Sequence, residues 1–268
     1  MITFPDTAAD HASSPLKNLV DSHCHVDDVA FAEDRRAVLQ RAVAAGVSKI
    51  VVPGYSPLFW QRLQVLCAEF PALLYPAYGV HPLYLRECGA DWTERLQALL
   101  DGAVALGEIG LDAGVDAPDR AEQEVCLRTQ LALARDLHLP VILHARQSLE
   151  ALLLILRHYP GLRGVVHSFT GSLVQGQRLV DMGFYLGLGA ACSHPRALRL
   201  RATMAALPVD NVLVETDAPW QSSLQRRGQR NEPGFLPETI RVLAELRHTP
   251  PQELADHCTQ NTLSLFRL

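Results

Sequence analysis

Eight short apolar segments recur along this chain at a nearly constant interval, and this repetition restricts the possible folds more than any other feature. They lie at residues 18–22, 47–53, 73–79, 103–108, 139–144, 164–168, 184–187 and 211–215. Their first residues are roughly 28 positions apart, close to the ~30 expected when about 250 residues form eight equal units. Each segment has the length and composition of a β-strand.

Helical patterns separate these segments, for example at residues 35–42 and 121–137, where apolar side chains recur three and four positions apart. Strands that alternate with helices predict an α/β protein in which a parallel sheet is covered by helices. Eight such units favour closure into a (β/α)8 TIM barrel over an open, doubly wound sheet. We expect a flexible leader at residues 1–17 and one barrel domain at residues 18–268.

Composition and charge narrow the class of protein further. The chain has 268 residues, of which 48% are hydrophobic and 20% charged, so a large core is expected. Neither a secretory signal nor an apolar run long enough to span a membrane is apparent, and the six scattered cysteines indicate reduced thiols. We therefore expect a cytoplasmic protein. A net charge of −5 excludes a globally basic nucleic-acid binder but allows a local positive site.

The first predicted strand ends in Asp21-Ser-His23-Cys-His25. Side chains alternate across a strand, so His23 and His25 point to one face, ~7 Å apart along the chain, where both can bind one metal ion. Cys24 faces the other way and is expected to pack in the core. By itself the His-x-His pattern is weak, because a pair of histidines is more often a coincidence.

The ends of four other predicted strands carry further metal-binding side chains: Glu108, His144, His167 and Asp217. Barrel enzymes assemble their chemistry at the carboxyl ends of the strands, so these residues and the two histidines are expected to meet there. The alternative is that each is an unrelated polar residue at a strand end. That arrangement would bury several titratable groups without a common partner, which costs free energy.

This set of side chains suits two divalent ions better than one. His23, His25 and Asp217 can bind the first ion and His144 and His167 the second, while Glu108 bridges them. Imidazole and carboxylate ligands fit Zn, Mn, Co or Ni, and are less suited to Mg, which prefers oxygen.

At these residues the sequence resembles the TatD family of metal-dependent deoxyribonucleases. The matching stretches are DSHCHVD, YGVHP, GEIGLD, PVILHAR, VVHSFTGS, ETDAP and RNEP, which together span residues 20–233. The resemblance implies a TIM barrel that uses two divalent metals to hydrolyse phosphodiester bonds of DNA, with the same six ligands. It also implies that His81, in YGVHP, lies near the scissile phosphate. No membrane association or obligate protein partner is expected.

Two positions depart from the family pattern. Trp220 stands where relatives often have Tyr, and Gln147 where many carry an acid. Both are expected in loops over the barrel mouth, so they affect substrate preference and leave the ligand set intact.

The expected mechanism is attack on phosphorus by a metal-activated water. Asp217 would orient this water and accept its proton, or act as a ligand only. His81 would donate a hydrogen bond or proton to the substrate, or merely cap the loop backbone. Arg146 lies two residues beyond His144 on the same strand face, where it would bind a phosphate oxygen or form a surface salt bridge.

Several further charged residues are not expected to be metal ligands. Glu215 and Asp21 would orient ligand histidines or be satisfied polar groups within the barrel, whereas Asp112 is expected to belong to a loop. Three arginines near the RNEP motif would extend the positive mouth along a nucleic-acid backbone, or lie in a solvated loop: Arg226, Arg227 and Arg230.

Two other functions fit parts of this pattern. An amidohydrolase places similar residues on its strands and would cleave an amide or ester in a small molecule. The glutamate of GEIGLD, together with RNEP, favours the nuclease, because amidohydrolases often have a carboxylated lysine as the bridging group and this sequence has none at that place. A non-catalytic metal-binding scaffold is disfavoured while all six ligands are present.

Overall fold

Eight parallel strands in sequence order form the barrel of the computed structural model, which describes residues 14–268. The strands are β1 Leu19–Asp21, β2 Val47–Gly54, β3 Leu74–Tyr78, β4 Ala105–Asp112, β5 Val141–Arg146, β6 Gly164–Val166, β7 Phe184–Leu188 and β8 Val212–Val214. The N–H of Ser22, just after β1, donates to the carbonyl of Val214 in β8 at 3.1 Å, which joins the last strand to the first. The predicted (β/α)8 TIM barrel is confirmed.

Helices follow the strands and cover the barrel. They are α1 Arg35–Ala44, α2 Trp60–Glu69, α3 Trp92–Leu99, α4 Arg120–Asp136, α5 Leu149–Leu156, α6 Leu173–Asp181, α7 Leu198–Ala206, α8 Leu236–Arg247 and α9 Pro251–Phe266. Local sequence explains several starts: the Asp119 side chain accepts the Ala121 N–H before α4, and Ser172 and Gln175 form a capping box before α6. Across residues 14–268, no helix combines the length and apolarity needed to cross a membrane.

The core consists of two hydrophobic clusters. The larger fills the space between strands and helices. The smaller takes one side chain from each of seven strands and adds two from α9: Val51, Ala77, Ala105, Ile142, Val165, Tyr185, Leu213, Leu265 and Phe266. The interior is therefore packed and is not a channel, and polar side chains concentrate at the carboxyl ends of the strands.

Strands β4 and β5 end beyond the positions that the sequence predicted. β4 continues to Asp112 and β5 to Arg146, because these strands stay paired as far as Asp112 opposite Arg146. The assignment of Asp112 to a loop is therefore wrong. This difference matters because it brings Asp112 into the wall of the candidate site.

The predicted leader at residues 1–17 falls mostly outside the described residues. Its last part, from Ser14, has no helix or strand, but Leu16 is buried in the larger core cluster. The Lys17 N–H donates to the side chain of Gln252 in α9 at 3.1 Å. Packing thus begins before residue 18, while the division into leader and barrel domain stays a prediction.

Candidate metal centre

The side chain of Glu108, in β4, lies at the middle of the barrel mouth and is almost fully buried. Its Oε2 is 3.5 Å from Nε2 of His23 and 3.4 Å from Nε2 of His25. Its Oε1 is 3.2 Å from Nδ1 of His144 and 2.8 Å from Nε2 of His167. One carboxylate therefore faces two separate pairs of imidazoles, which is the arrangement predicted for a bridging ligand.

Asp217 joins the first of these pairs. Its Oδ1 is 3.5 Å from Nε2 of both His23 and His25, and its N–H donates to the carbonyl of His23 at 2.9 Å. The side-chain amide of Gln221 donates to its Oδ2. The structure thus brings all six predicted ligands together, and with His81 we call them the Glu108 cluster.

The hydrogen-bond partners of two histidines indicate which ring nitrogen carries the proton. Nδ1 of His25 is 3.1 Å from the carbonyl of Pro53, and Nε2 of His144 is 3.0 Å from Oδ2 of Asp112. Both partners are acceptors, so each of these nitrogens donates. In the neutral ring, the nitrogen that faces the Glu108 cluster then holds a lone pair.

His167 lies between two carboxylates. Its Nδ1 points to the buried carboxylate of Glu215 at 3.7 Å, and its Nε2 faces Glu108. In their neutral, metal-binding form these imidazoles direct several lone pairs at one carboxylate, and that arrangement is stable only with a cation or a proton between them. The residues therefore fit a metal centre.

Burial and neighbouring charges shift the pKa values in this cluster. Burial alone would raise the pKa of Glu108, but the histidines around it, above all His167, hold that pKa well below its usual value. Burial, reinforced by repulsion from His167, lowers the pKa of His23 to about 4. Burial would also lower the pKa of His167, yet the Glu108 carboxylate raises it well above normal. Glu108 therefore stays ionised and His23 neutral at ordinary pH, as ligands must be.

His81 differs from the other histidines of the cluster. Its Nδ1 accepts the N–H of Leu83 at 3.2 Å, so the proton of the neutral ring resides on Nε2. That Nε2 is 3.5 Å from Oε1 of Glu108 and faces the mouth. Burial lowers the pKa of His81 to about 3. The ring thus offers a hydrogen-bond donor to the mouth, and at the same time caps the backbone of its own loop.

A pocket of about 420 Å³ lies over the cluster. Tyr55, Tyr84 and Trp220 line one side, and Arg146 lines it where β5 ends. Arg146 is exposed, so its guanidinium can meet a molecule in the pocket. This pocket is where a substrate would contact the candidate centre.

Two acidic residues described above have different surroundings. Glu215 contacts His167 and accepts the N–H of Ser168 at 2.5 Å, in line with a role in orienting a ligand. Asp21 instead accepts the N–H groups of His23 at 3.2 Å and Thr216 at 3.0 Å. Burial raises the pKa of Asp21 to about 7. Asp21 is thus a satisfied polar group that ties the end of β8 to β1.

Sequence reasoning missed the contact of Asp112 with His144. The signal was available, since Asp112 follows Glu108 by four residues and shares its strand face if β4 continues. It also missed Asn231, whose side-chain amide donates to the carbonyls of Thr216 and Trp220, both at 2.8 Å. The asparagine of RNEP therefore holds the loop that carries Asp217.

The expectation that Arg226 and Arg230 extend the positive mouth is wrong. Nε of Arg226 donates to Glu238 at 2.9 Å, and the guanidinium of Arg230 donates to Asp34 and Glu232 at 2.8 and 2.9 Å. Acidic partners thus already neutralise both side chains, and one of them, Asp34, lies 196 positions from Arg230. Arg227 is exposed, and its role stays a prediction.

Comparison with known proteins agrees with a metal-dependent hydrolase. The family described as TatD related DNase matches residues 20–267. This chain belongs to that family. A curated relative from Escherichia coli K12, named uncharacterized metal-dependent hydrolase YjjV, is 40% identical over 93% of this chain and 98% of its own. The predicted family and the assignment as a hydrolase are confirmed.

A further relative and a solved structure agree. The Erwinia billingiae protein named 3'-5' ssDNA/RNA exonuclease TatD is 34% identical over 93% of this chain and 99% of its own. The crystal structure of YjjV, described as a TatD homologue, superposes with a TM-score of 0.88 at 39% identity, and covers 93% of this chain and 98% of that one. The barrel is therefore shared along nearly its whole length.

Proposed function

We propose that this TatD-family hydrolase cleaves phosphodiester bonds of nucleic acid at a centre of two divalent metal ions, and that DNA is its main substrate. The observation that carries the proposal is the placement of Glu108, whose two carboxylate oxygens each face a pair of imidazole nitrogens. A phosphodiester is an anion, and two adjacent cations are suited to it because they stabilise attacking and leaving oxygens together.

His23, His25 and Asp217 would bind one ion and His144 and His167 the other, with Glu108 between them. The rings of His23 and His167 stack with centroids 4.0 Å apart, so the two sites adjoin. When bound, the ions would supply Lewis-acid chemistry, lowering the pKa of a water and neutralising charge on the phosphate. Zn, Mn, Co and Ni suit this mixture of nitrogen and oxygen better than Mg.

Three further side chains act on the substrate and the water. Asp217 has one oxygen toward the ligand histidines and the other held by Gln221, so its carboxylate is fixed in place to orient a water and accept its proton. His81 presents its Nε2–H to a phosphate oxygen. A hydrogen bond, rather than a transferred proton, is the role that fits its neutral ring. Arg146, at the end of β5 and the edge of the pocket, binds a phosphate oxygen of the substrate.

An amidohydrolase reaction would use a similar activated water on an amide or ester. We favour the nuclease because the matching family is described as a DNase, and a relative that aligns over nearly its whole length is named an ssDNA/RNA exonuclease. Both descriptions apply to the relatives, so substrate class in this chain is decided by assay.

The test is hydrolysis by one preparation of single-stranded DNA, duplex DNA, RNA and a panel of small amides and esters. The protein is first dialysed against a chelator and then reloaded separately with Zn, Mn, Co, Ni or Mg. We expect cleavage of single-stranded nucleic acid to vanish on chelation and to return with at least one ion. Unchanged cleavage after complete metal removal contradicts the metal centre, and turnover of amides or esters alone contradicts the nuclease.

A further inference from the structure

Trp220 is an apolar side chain held in the open at the barrel mouth. Its side chain is 48% exposed, although its backbone is fixed on both sides. The Trp220 N–H donates to the carbonyl of Asp217 at 3.0 Å, and its own carbonyl accepts from Asn231 at 2.8 Å. The loop therefore presents the indole in a defined place beside the Glu108 cluster, where water covers it unless a ligand does.

Other aromatic rings continue the surface that Trp220 begins. Its ring centroid is 5.1 Å from that of His25. The centroids of His25 and Tyr55 are 5.4 Å apart, and those of Tyr55 and Tyr84 are 4.9 Å apart. These residues follow β8, β1, β2 and β3, which are neighbours around the barrel. We call Tyr55, Tyr84 and Trp220 the aromatic wall.

Polar side chains line the part of the same pocket that follows β5 and β6: Arg146, Ser168 and Thr170. The Ser168 hydroxyl is hydrogen-bonded to the side chain of Gln221, so this polar part adjoins the loop of Trp220. A second cavity of about 500 Å³ shares Ser168 and Thr170 and extends the groove outward, past Gln147. The pocket thus has an aromatic part, a central group of metal-binding residues and a polar part that continues along the surface.

We propose that the aromatic wall stacks the terminal base of a single-stranded nucleic acid, with Trp220 as the main platform. The phosphate next to that base lies over the Glu108 cluster, and the rest of the strand leaves past Arg146. Stacking suits any base because every base has a π-face. A pocket of about 420 Å³ is near the lower end of the ~300–1,000 Å³ typical of ligand sites, so its size suits a single nucleotide.

This inference rests on the proposed function and deepens it, since it makes Trp220 a determinant of strand and end specificity. It is tested first by binding under chelating conditions, in which no cleavage occurs. Oligonucleotides carry the fluorescent base 2-aminopurine at the 3' end, at the 5' end or in the middle. We expect the protein to quench the fluorophore at one end only, and Trp220→Ala to abolish that quenching. Quenching confined to the middle position overturns the proposal.

A cycle of protein and substrate changes isolates the stacking contact. We expect Trp220→Ala to raise Kd and KM for a single strand by about 5- to 150-fold, the range for loss of one stacked base. Trp220→Phe should recover most of this loss. With an abasic residue at the quenched end, wild type and Trp220→Ala should bind equally. Equal weakening of intact and abasic strands by Trp220→Ala overturns the inference.

A control variant and a separate readout keep the two proposals apart. Leu198→Ala removes an exposed apolar side chain of α7 that does not line the pocket, and should change neither Kd nor KM. If the metal-loaded wild type cleaves no nucleic acid at all, the proposed function fails. If it cleaves a single strand and Trp220→Ala has the same KM, only the stacking inference fails.

Discussion

Two clusters of charged and titratable side chains lie near the barrel mouth, and they are built on opposite principles. At the rim, Arg230 and Arg41 pair with Asp34 and Glu232, and most of their contacts are 2.8–2.9 Å. Two cations thus meet two anions, and each side chain has a partner of opposite charge. We call these four residues the rim cluster.

In the Glu108 cluster, by contrast, atoms that can bind a cation face one another. Nε2 of His23 is 3.0 Å from Nε2 of His25, and Nδ1 of His144 is 3.2 Å from Nε2 of His167. Nδ1 of His23 is buried without a hydrogen-bond partner. A cluster that is internally neutral stabilises the fold, whereas one with a surplus of lone pairs is arranged for a cation.

The largest effect that separates the two clusters is expected from matched glutamate substitutions. Glu108→Gln removes the charge that both imidazole pairs face, so turnover on single-stranded DNA should fall by several orders of magnitude, together with the bound metal measured by elemental analysis. Glu232→Gln makes the same chemical change at the rim. Its turnover and metal content should match wild type. Comparable losses in both variants would remove the distinction between the clusters.

A smaller effect, on metal affinity, is expected from Asp112, the residue that the structure adds to the site. Asp112→Asn keeps the shape of the side chain but replaces the carboxylate that holds Nε2–H of His144. Loss of such an outer partner of a metal ligand typically costs ~10–100-fold in metal affinity. Competition with a fluorescent chelator measures this affinity independently of catalysis. An affinity equal to that of wild type would mean that Asp112 does not position His144.

Salt dependence distinguishes a free arginine from a paired one. Arg146→Ala should weaken binding of single-stranded DNA and reduce the slope of log K against log salt by about the ~0.7 expected per phosphate contact. Arg230→Ala removes a guanidinium already neutralised by Asp34 and Glu232, so its slope should stay that of wild type. Fluorescence anisotropy across a salt series gives both slopes. A reduced slope in Arg230→Ala would restore that residue to the nucleic-acid surface.

The smallest effect concerns the stability of the rim cluster in acid. Hydrogen bonds from Arg230 lower the pKa of Asp34 from 3.8 to about 2. The carboxylate therefore stabilises the folded state above about pH 4, and this contribution is lost as pH falls through about 2. Because the Asp34 side chain is 39% exposed and water screens the pair, the contribution is no more than about 1 kcal/mol. In urea unfolding, the free energy of unfolding of wild type should exceed that of Asp34→Asn at pH 5, and the difference should shrink toward pH 2.5. A difference that stays constant with pH would contradict the ion pairing.

Much of the site could be predicted because chemistry and periodicity coincide in this chain. His23 and His25 share a face by the two-residue period of strands, and the other four ligands follow predicted strands that all open to one rim. The structure brings these six side chains together as predicted. The error over Asp112 came from the end of β4, since strand ends are set by pairing with a neighbour and not by local composition.

The arginines illustrate the opposite case. Near the RNEP motif, Arg226 and Arg230 lie in a basic segment, but their acidic partners Glu238 and Asp34 come from α8 and from the residue before α1. Asp34 lies 196 positions away in sequence from Arg230. No local pattern indicates such a pair, so the sequence suggested a nucleic-acid surface where the folded chain has ion pairs.

The sequence alone determined the eightfold alternation, the family and the set of metal-binding residue types, because each depends on spacing along the chain. Only the tertiary structure decided which nitrogen of each histidine faces Glu108, that Asp112 supports His144, and that Asn231 holds the loop of Trp220 in place. These features depend on atoms from distant segments meeting at hydrogen-bond distance, and that proximity is created by closure of the barrel.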